Sequence, residues 1–325
     1  MTRIHEPSTP PKMTWRVLVS APYFLPVVEE YRAQLEAEGL ELVIAEVCER
    51  LSEAELMTLV PTIHGAICGD DQFSERVLQA AKHLKVISKW GTGIDSIDIA
   101  AAARLGILVC NTQNAFTDCV ADSTLGYILN FARQLFRMDQ EIRSGKWIKR
   151  EAITLRECTL GVIGVGNIGK AVVRRAVAFG MTVVGCDPVP VPESFLVETG
   201  LKLISLSELL KSSDFVTLHC DLNRTSKHLI DRSQLELMRS TAYLINTSRG
   251  SVVNERALVD ALRNGWIAGA ALDVFENEPL PTDSPLRELN NCLLAPHNSN
   301  SGLTARKRVH ESTIQNLLAG LKRAT

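Results

Sequence analysis

Residues 159–180 constrain the fold of this chain more than any other stretch. An apolar run, TLGVI at 159–163, leads straight into Gly164-Val165-Gly166-Asn167-Ile168-Gly169, and residues 170–180 then carry helical spacing. A strand that turns on spaced glycines into a helix is the G-x-G-x-x-G arrangement that receives a dinucleotide. Gly164 permits the tight turn. Gly166 lets a pyrophosphate approach the backbone, and Gly169 lets helix and strand pack closely. The helix N-terminus, which includes Asn167 and Ile168, faces the phosphates. The next apolar run, 182–186, ends at Asp187, 18 residues after Gly169. A carboxylate about 20 residues on accepts from the ribose 2′-OH and repels a 2′-phosphate, which favours NAD over NADP. Because Pro188 follows, the alternative for Asp187 is a turn-forming role.

Short apolar runs alternate with helical patterns along most of the chain. Strands are expected at 15–20, 66–68, 86–88 and 107–110, with a helix over 27–38. A long helix is expected from about 118 to 144. A second series of strands follows at 159–163, 182–186, 215–218, 242–245 and 267–272, and a last helix at 303–321. Such alternation predicts α/β architecture with parallel sheets covered by helices. At 325 residues, two domains are expected.

The formal net charge is −2 and no block of like charges occurs, so neither nucleic acid nor an anionic membrane is an expected partner. No apolar run reaches the ~18 residues that suggest a membrane span. Residues 1–13 (MTRIHEPSTPPKM) are polar and Pro-rich and lack the apolar segment of a secretory signal. A loose tail and a cytosolic location are expected. The eight cysteines include no C-x-x-C pair, so they read as small apolar side chains, and no metal site is expected.

Several further motifs carry a family resemblance: KVISKWGTGIDSID at 85–98, SGKW ending at Trp147, INTSRGSVVN at 245–254, ALDVFENEP at 271–279 and LAPH at 294–297. With the glycine turn, in this order and spacing, the chain resembles the D-isomer-specific 2-hydroxyacid dehydrogenases, which include D-3-phosphoglycerate dehydrogenase and the glyoxylate/hydroxypyruvate reductases. The resemblance implies two Rossmann-like domains with parallel sheets. A discontinuous substrate domain would comprise 1–113 and 298–325, and an inserted NAD-binding domain 114–297. It also implies a homodimer.

Reduction of a 2-keto acid requires a cation for the carboxylate and polarised carbonyl, and a proton donor at the carbonyl oxygen. The family supplies Arg, Glu and His, which match Arg249, Glu278 and His297. A planar guanidinium suits a carboxylate, and an imidazole exchanges protons near neutral pH. Glu278 would hydrogen-bond that imidazole and fix its tautomer. By the same resemblance Asp273 accepts from the nicotinamide carboxamide. Thr247 and Ser248 lie beside the ring, His219 and Cys220 lie at the mouth of the preceding strand, and Thr92 lies near the cofactor. The loop Lys89-Trp90-Gly91-Thr92, together with Arg249, would bind substrate, since N–H groups at flexible glycines converge on anions.

The chain departs from its relatives in three places. Gly69-Asp70-Asp71 stands where phosphoglycerate-type members carry an Arg, which argues against a phosphorylated substrate. His219-Cys220-Asp221-Leu222-Asn223 replaces the usual His-x-Pro-Leu-Thr. Asn298 and Asn300 make the stretch after His297 more polar, suited to a polar substrate tail. Two alternatives stay open: an NAD-sensing co-regulator of the same fold, and a dehydrogenase of an unusual phosphonate or sugar acid in a biosynthetic pathway.

Overall fold

β-branched and apolar residues in runs of three to five make the first sheet. In the computed structural model, which describes residues 14–323, these are β1 (Trp15–Val19), β2 (Leu40–Ile44), β3 (Gly65–Cys68), β4 (Val86–Lys89) and β5 (Leu108–Cys110). Residues 1–13, the expected tail, lie outside the described residues. All the pairings are parallel, in the order β2-β1-β3-β4-β5. Val17, Val19, Ile67 and Ile87 are fully buried, as expected where helices cover both faces of a parallel sheet.

The crossovers carry α1 (Val28–Ala37), α2 (Glu53–Leu59), α3 (Glu75–Ala80) and α4 (Ile99–Arg104). Side chains at their starts explain where the last three begin. Ser52 and Glu55 form a reciprocal capping box, and Ser74 and Asp98 accept from N–H groups of the first turn.

The second unit opens with α5 (Thr117–Arg133) and α6 (Leu135–Arg143). The sequence predicts one helix over 118–144, and the structure corrects this. Gln134 adopts the left-handed conformation (φ 52°) and ends the first helix, while Asn130 Oδ1 accepts from the Phe136 N–H across the break. No Gly or Pro marks this point, so helical spacing alone could not reveal it.

There follow β6 (Thr159–Ile163), α7 (Asn167–Ala178), β7 (Thr182–Cys186), α8 (Glu193–Thr199), β8 (Lys202–Leu203), α9 (Leu206–Ser212) and β9 (Phe215–Leu218). The series continues with α10 (Arg232–Leu235), β10 (Tyr243–Asn246), α11 (Glu255–Arg263), β11 (Gly269–Leu272), β12 (Cys292–Leu294) and α12 (Leu303–Lys322). The sheet order is β12-β11-β10-β9-β6-β7-β8, again parallel throughout. The molecule is thus an α/β protein with two Rossmann-like parallel sheets.

The compact units part at Ala115/Phe116 and Ala305/Arg306, whereas the sequence sets the crossings after 113 and 297. Residues 298–305 belong to the second unit because the Asn298 and Ser299 N–H groups are bound by the Asp273 carboxylate. Among the described residues, no helix is long and apolar enough to cross a membrane, and all eight cysteines are free.

Candidate active site

The glycine turn is built as its residue types require. Gly164 has φ +88°, and a Cβ there would lie 2.6 Å from the His219 carbonyl carbon. At Gly169 a Cβ would meet the Gly164 carbonyl oxygen at 2.0 Å, so only glycine lets α7 close on β6. Gly166 has open space where a Cβ would stand, and α7 begins at the next residue. Free space above a helix N-terminus suits a pyrophosphate. We expect Gly169→Ala to cost about 1–3 kcal/mol by overpacking. Thermal unfolding would check this, and an unchanged Tm would contradict the packing argument.

Asp187 takes the turn-forming role open to it in the sequence and braces the glycine turn as well. Its Oδ2 accepts from the Val165 N–H of the glycine turn at 2.6 Å, and its Oδ1 from the Val189 N–H at 2.7 Å. The carboxylate therefore braces the glycine turn and its own turn together. A carboxylate offers about four lone-pair positions, so acceptor capacity remains for a ribose hydroxyl.

His219 and Cys220 follow β9. The His219 N–H donates to the Ile163 carbonyl, which fixes this backbone beside Gly164. Burial depresses the imidazole pKa to about 3, so the ring is neutral, and burial lifts the Cys220 thiol to about 11. His219 Nε2 pairs with Thr217 Oγ1 at 3.0 Å, while Nδ1 is a buried polar atom without a protein partner. Such an orphan is costly unless a ligand satisfies it. Together with the open cradle at Gly166, it shows that these residues fit a dinucleotide.

The contact between Glu278 and His297 is assembled by two loops. After β11, Glu278 Oε1 accepts from the Phe275 N–H at 2.9 Å, which leaves Oε2 to meet His297 Nδ1 at 2.9 Å. A carboxylate oxygen accepts, so the imidazole proton sits on Nδ1, and Nε2 is the ring nitrogen that Glu278 does not engage. His297 itself lies in the left-handed region (φ 47°), a strained conformation for a non-glycine residue. Asp273 holds it there. The Asp273 carbonyl accepts from the His297 N–H at 2.7 Å, and its buried carboxylate accepts from the Asn298 and Ser299 N–H groups at 2.9 and 2.8 Å. Asp273 is thus the anchor of the histidine turn, a role its sequence context did not reveal.

Arg249 follows β10. Asn246 organises its loop: its Oδ1 accepts from the Ser248 N–H and Oγ, and its Nδ2 donates to the Arg249 carbonyl. At Gly250 a Cβ would fall 1.9 Å from the Phe275 carbonyl carbon. Glycine at this position brings the chain after Arg249 against the backbone that leads to Glu278. Arg249 is half-buried, and its Nη1 donates to the Ser248 carbonyl at 3.1 Å. Thr247 is buried, with Oγ1 3.3 Å from Thr124 Oγ1 of α5.

Of the remaining predicted residues, those from Asp70 to Thr92 belong to the first unit, and Trp147, Asn298 and Asn300 to the second. Lys89 is buried and paired with Asp70 at 3.0 Å. Asp71 is fully buried and accepts from Ser20 Oγ at 2.5 Å and the Leu51 N–H at 2.6 Å, and burial raises its pKa. The two carboxylates therefore do different things: one neutralises a lysine and the other ties the ends of β1 and β3 together. Gly91 (φ +120°) accepts from the Thr112 N–H, and Thr92 Oγ1 donates to the Thr112 carbonyl at 3.1 Å. Asn298 is exposed. Asn300 has a buried Oδ1 without a protein partner. Trp147 is highly exposed, beyond α6.

Sequence reasoning missed Asn246, the anchoring role of Asp273 and a second His–Glu pair, His228 Nε2 to Glu276 Oε1 at 2.8 Å. An Asn closing an apolar strand ahead of Thr-Ser-Arg-Gly was the one available signal for the first.

Comparison with known proteins identifies the family. Residues 125–299 match the family model described as the NAD-binding domain of D-isomer specific 2-hydroxyacid dehydrogenases. A glyoxylate reductase from Thermofilum pendens is 42% identical over 261 residues, which cover 78% of this chain and 76% of that protein. A D-3-phosphoglycerate dehydrogenase from Methanocaldococcus jannaschii is 37% identical over 298 residues, 90% of this chain and 55% of that protein. The crystal structure of D-lactate dehydrogenase from Aquifex aeolicus, complexed with NAD and lactic acid, superposes with a TM-score of 0.86. It is 29% identical, covering 94% of this chain and 95% of that one. The chain therefore belongs to the D-isomer specific 2-hydroxyacid dehydrogenase family and is an NAD-dependent D-2-hydroxyacid oxidoreductase.

Proposed function

We propose that the chain interconverts a small 2-keto acid and its D-2-hydroxy acid, with Arg249 as the binding cation and His297 with Glu278 as the acid–base pair. The observation that carries this reading is the Glu278–His297 contact, in which the second carboxylate oxygen is held by the Phe275 N–H. NADH, when bound, supplies the hydride for reduction. Arg249 pairs with the substrate carboxylate and draws charge from the 2-keto oxygen. His297 donates the Nε2 proton to that oxygen as it becomes the hydroxyl. Glu278 stabilises the imidazolium before the transfer and keeps Nδ1 protonated after it. In oxidation the proton returns to Nε2. Gly91 and Thr92 contribute N–H groups for the carboxylate, since the Trp90 N–H is donated to the Cys68 carbonyl.

The substrate we infer carries no second anionic group. Lys89, the cation next to this loop, is already neutralised by Asp70, which leaves little to attract a phosphate. The glyoxylate reductases among the relatives point the same way, toward a small acid, whereas the D-3-phosphoglycerate dehydrogenase is named for a phosphorylated one. The test is NADH absorbance with a panel of 2-keto acids that includes glyoxylate, hydroxypyruvate and a phosphorylated hydroxypyruvate. Turnover is expected with the first two. NADH binding without turnover of any acid would end the reading, and a marked preference for the phosphorylated acid would end its substrate assignment.

Cofactor choice rests on Asp187. Asp187→Ala should narrow the preference for NADH over NADPH by about tenfold, ~1.4 kcal/mol, since the repulsion of a 2′-phosphate goes with the charge. A wild-type protein that prefers NADPH would overturn this assignment.

A further inference from the structure

The loop that follows β4 is held by α12. Along one face of this helix His310, Thr313 and Asn316 recur at helical spacing, and each is bonded to a different part of the loop region. Ser88 Oγ donates to the Thr313 carbonyl at 2.8 Å. The Trp90 indole N–H donates to His310 Nδ1 at 3.0 Å. Asn316 Nδ2 donates to the Asn111 carbonyl at 3.2 Å, and Asn111 Nδ2 donates in turn to the Thr92 carbonyl at 2.6 Å. One turn further, Gly320 lets the helix press on Val86, where a Cβ would meet a valine methyl at 2.5 Å.

Trp90 is the link between this platform and the loop. Its side chain is buried, and its ring stacks on Tyr23 at 5.0 Å and lies 5.6 Å from His310. A buried indole N–H needs an acceptor. Trp offers only a donor here, so His310 Nδ1 must be unprotonated and the ring must be neutral. The groups facing His310 favour that state. Burial and the Arg306 guanidinium hold its pKa below the ordinary imidazole value, against Glu311 on its own helix and Glu30 on α1. Phe24 and Tyr31 cover the ring at 5.4 and 6.1 Å, and Arg306 sits 4.9 Å over Tyr23.

We propose that His310 is a positioning residue for substrate binding: as a neutral imidazole it holds Trp90, and through Trp90 the 91–92 turn, in the conformation that receives the substrate carboxylate. The inference rests on the substrate role given above to residues 89–92. Protonation of His310 would turn Nδ1 into a donor facing a donor and release the indole.

The test compares His310→Leu, which removes the acceptor, with His310→Asn, which keeps one at the same position. His310→Leu should raise KM for the 2-keto acid by about tenfold, with kcat within about threefold and KM for NADH unchanged. His310→Asn should restore KM. Trp90→Phe should raise KM similarly, and the double variant with His310→Leu should be no worse than either single change. In the wild type KM should rise only well on the acid side of pH 6.5, the ordinary imidazole value, and His310→Asn should lack that rise.

Should His310→Leu not fold, the Trp90 indole resonance in 15N-Trp-labelled wild type replaces it, assigned by Trp90→Phe. It should shift with an acid titration and stay fixed in His310→Asn. An unchanged KM in His310→Leu, additive effects in the double variant, or an indole signal indifferent to pH would each overturn the proposal. Wild-type protein inert toward every 2-keto acid would instead overturn the functional reading itself, so the two failures are distinguishable.

Discussion

His297→Ala should lower kcat for reduction of the 2-keto acid by about 10²–10⁴-fold, the usual share of general acid–base catalysis. The expectation follows from the atoms available. Glu278 occupies Nδ1, so Nε2 alone can carry the proton to the substrate oxygen, and alanine offers nothing in its place. His297 lies in the left-handed backbone region, so alanine also strains the turn. His297→Asn separates the two effects, since Asn enters that region more readily than most residues while lacking a titratable ring. Both variants should fall together. Glu278→Gln should cost less: it keeps the shape and the bond to the Phe275 N–H but turns an amide N–H toward Nδ1, which disfavours the imidazolium. The measurement is single-substrate kinetics at saturating NADH. Turnover within about threefold of wild type in His297→Asn would remove His297 from the mechanism.

Arg249→Ala should reduce kcat/KM by about 10³-fold, on the order of 4 kcal/mol of transition-state stabilisation. The loss should appear in both constants, because one guanidinium meets the carboxylate in the ground state and the developing charge on the carbonyl oxygen later. Arg249→Lys keeps the charge but not the planar fork, so it should fall between alanine and wild type. An unchanged KM in Arg249→Ala would show that the carboxylate is bound elsewhere. The loop itself should survive the substitution, since the bonds that shape it come from Asn246 and from the backbone at Gly250.

The legible parts of this protein were those where one residue type is the only answer to a local demand. Gly164 and Gly169 were readable because no side chain fits beside His219 or the Gly164 carbonyl. Strands such as 15–19 and 159–163 were readable because their largely apolar runs suit a parallel sheet covered on both faces. The break at Gln134 was not readable, because a left-handed residue there depends on the Asn130 side chain and not on a breaker in the chain. The family resemblance singled out Asp273, yet its work on the 297–299 turn was not readable, because its partners are backbone N–H groups 25 and 26 positions away. The same holds for His310, whose partner Trp90 is 220 residues distant. A lone histidine on an apolar helix face carries no mark of what its ring nitrogens will meet.

By itself the sequence determined the α/β class, the dinucleotide turn and, through the order of its motifs, the reaction family. These depend on periodicity and on near neighbours along the chain. Only the tertiary structure decided which oxygen of Glu278 meets His297, that Asp70 neutralises Lys89 while Asp71 joins two strand ends, and where the chain passes between its compact units. Each of these is a choice among several possible partners for a polar group. Hydrogen bonds and ion pairs are short-ranged and directional, so such choices are made only when distant segments have been brought to within about 3 Å of one another.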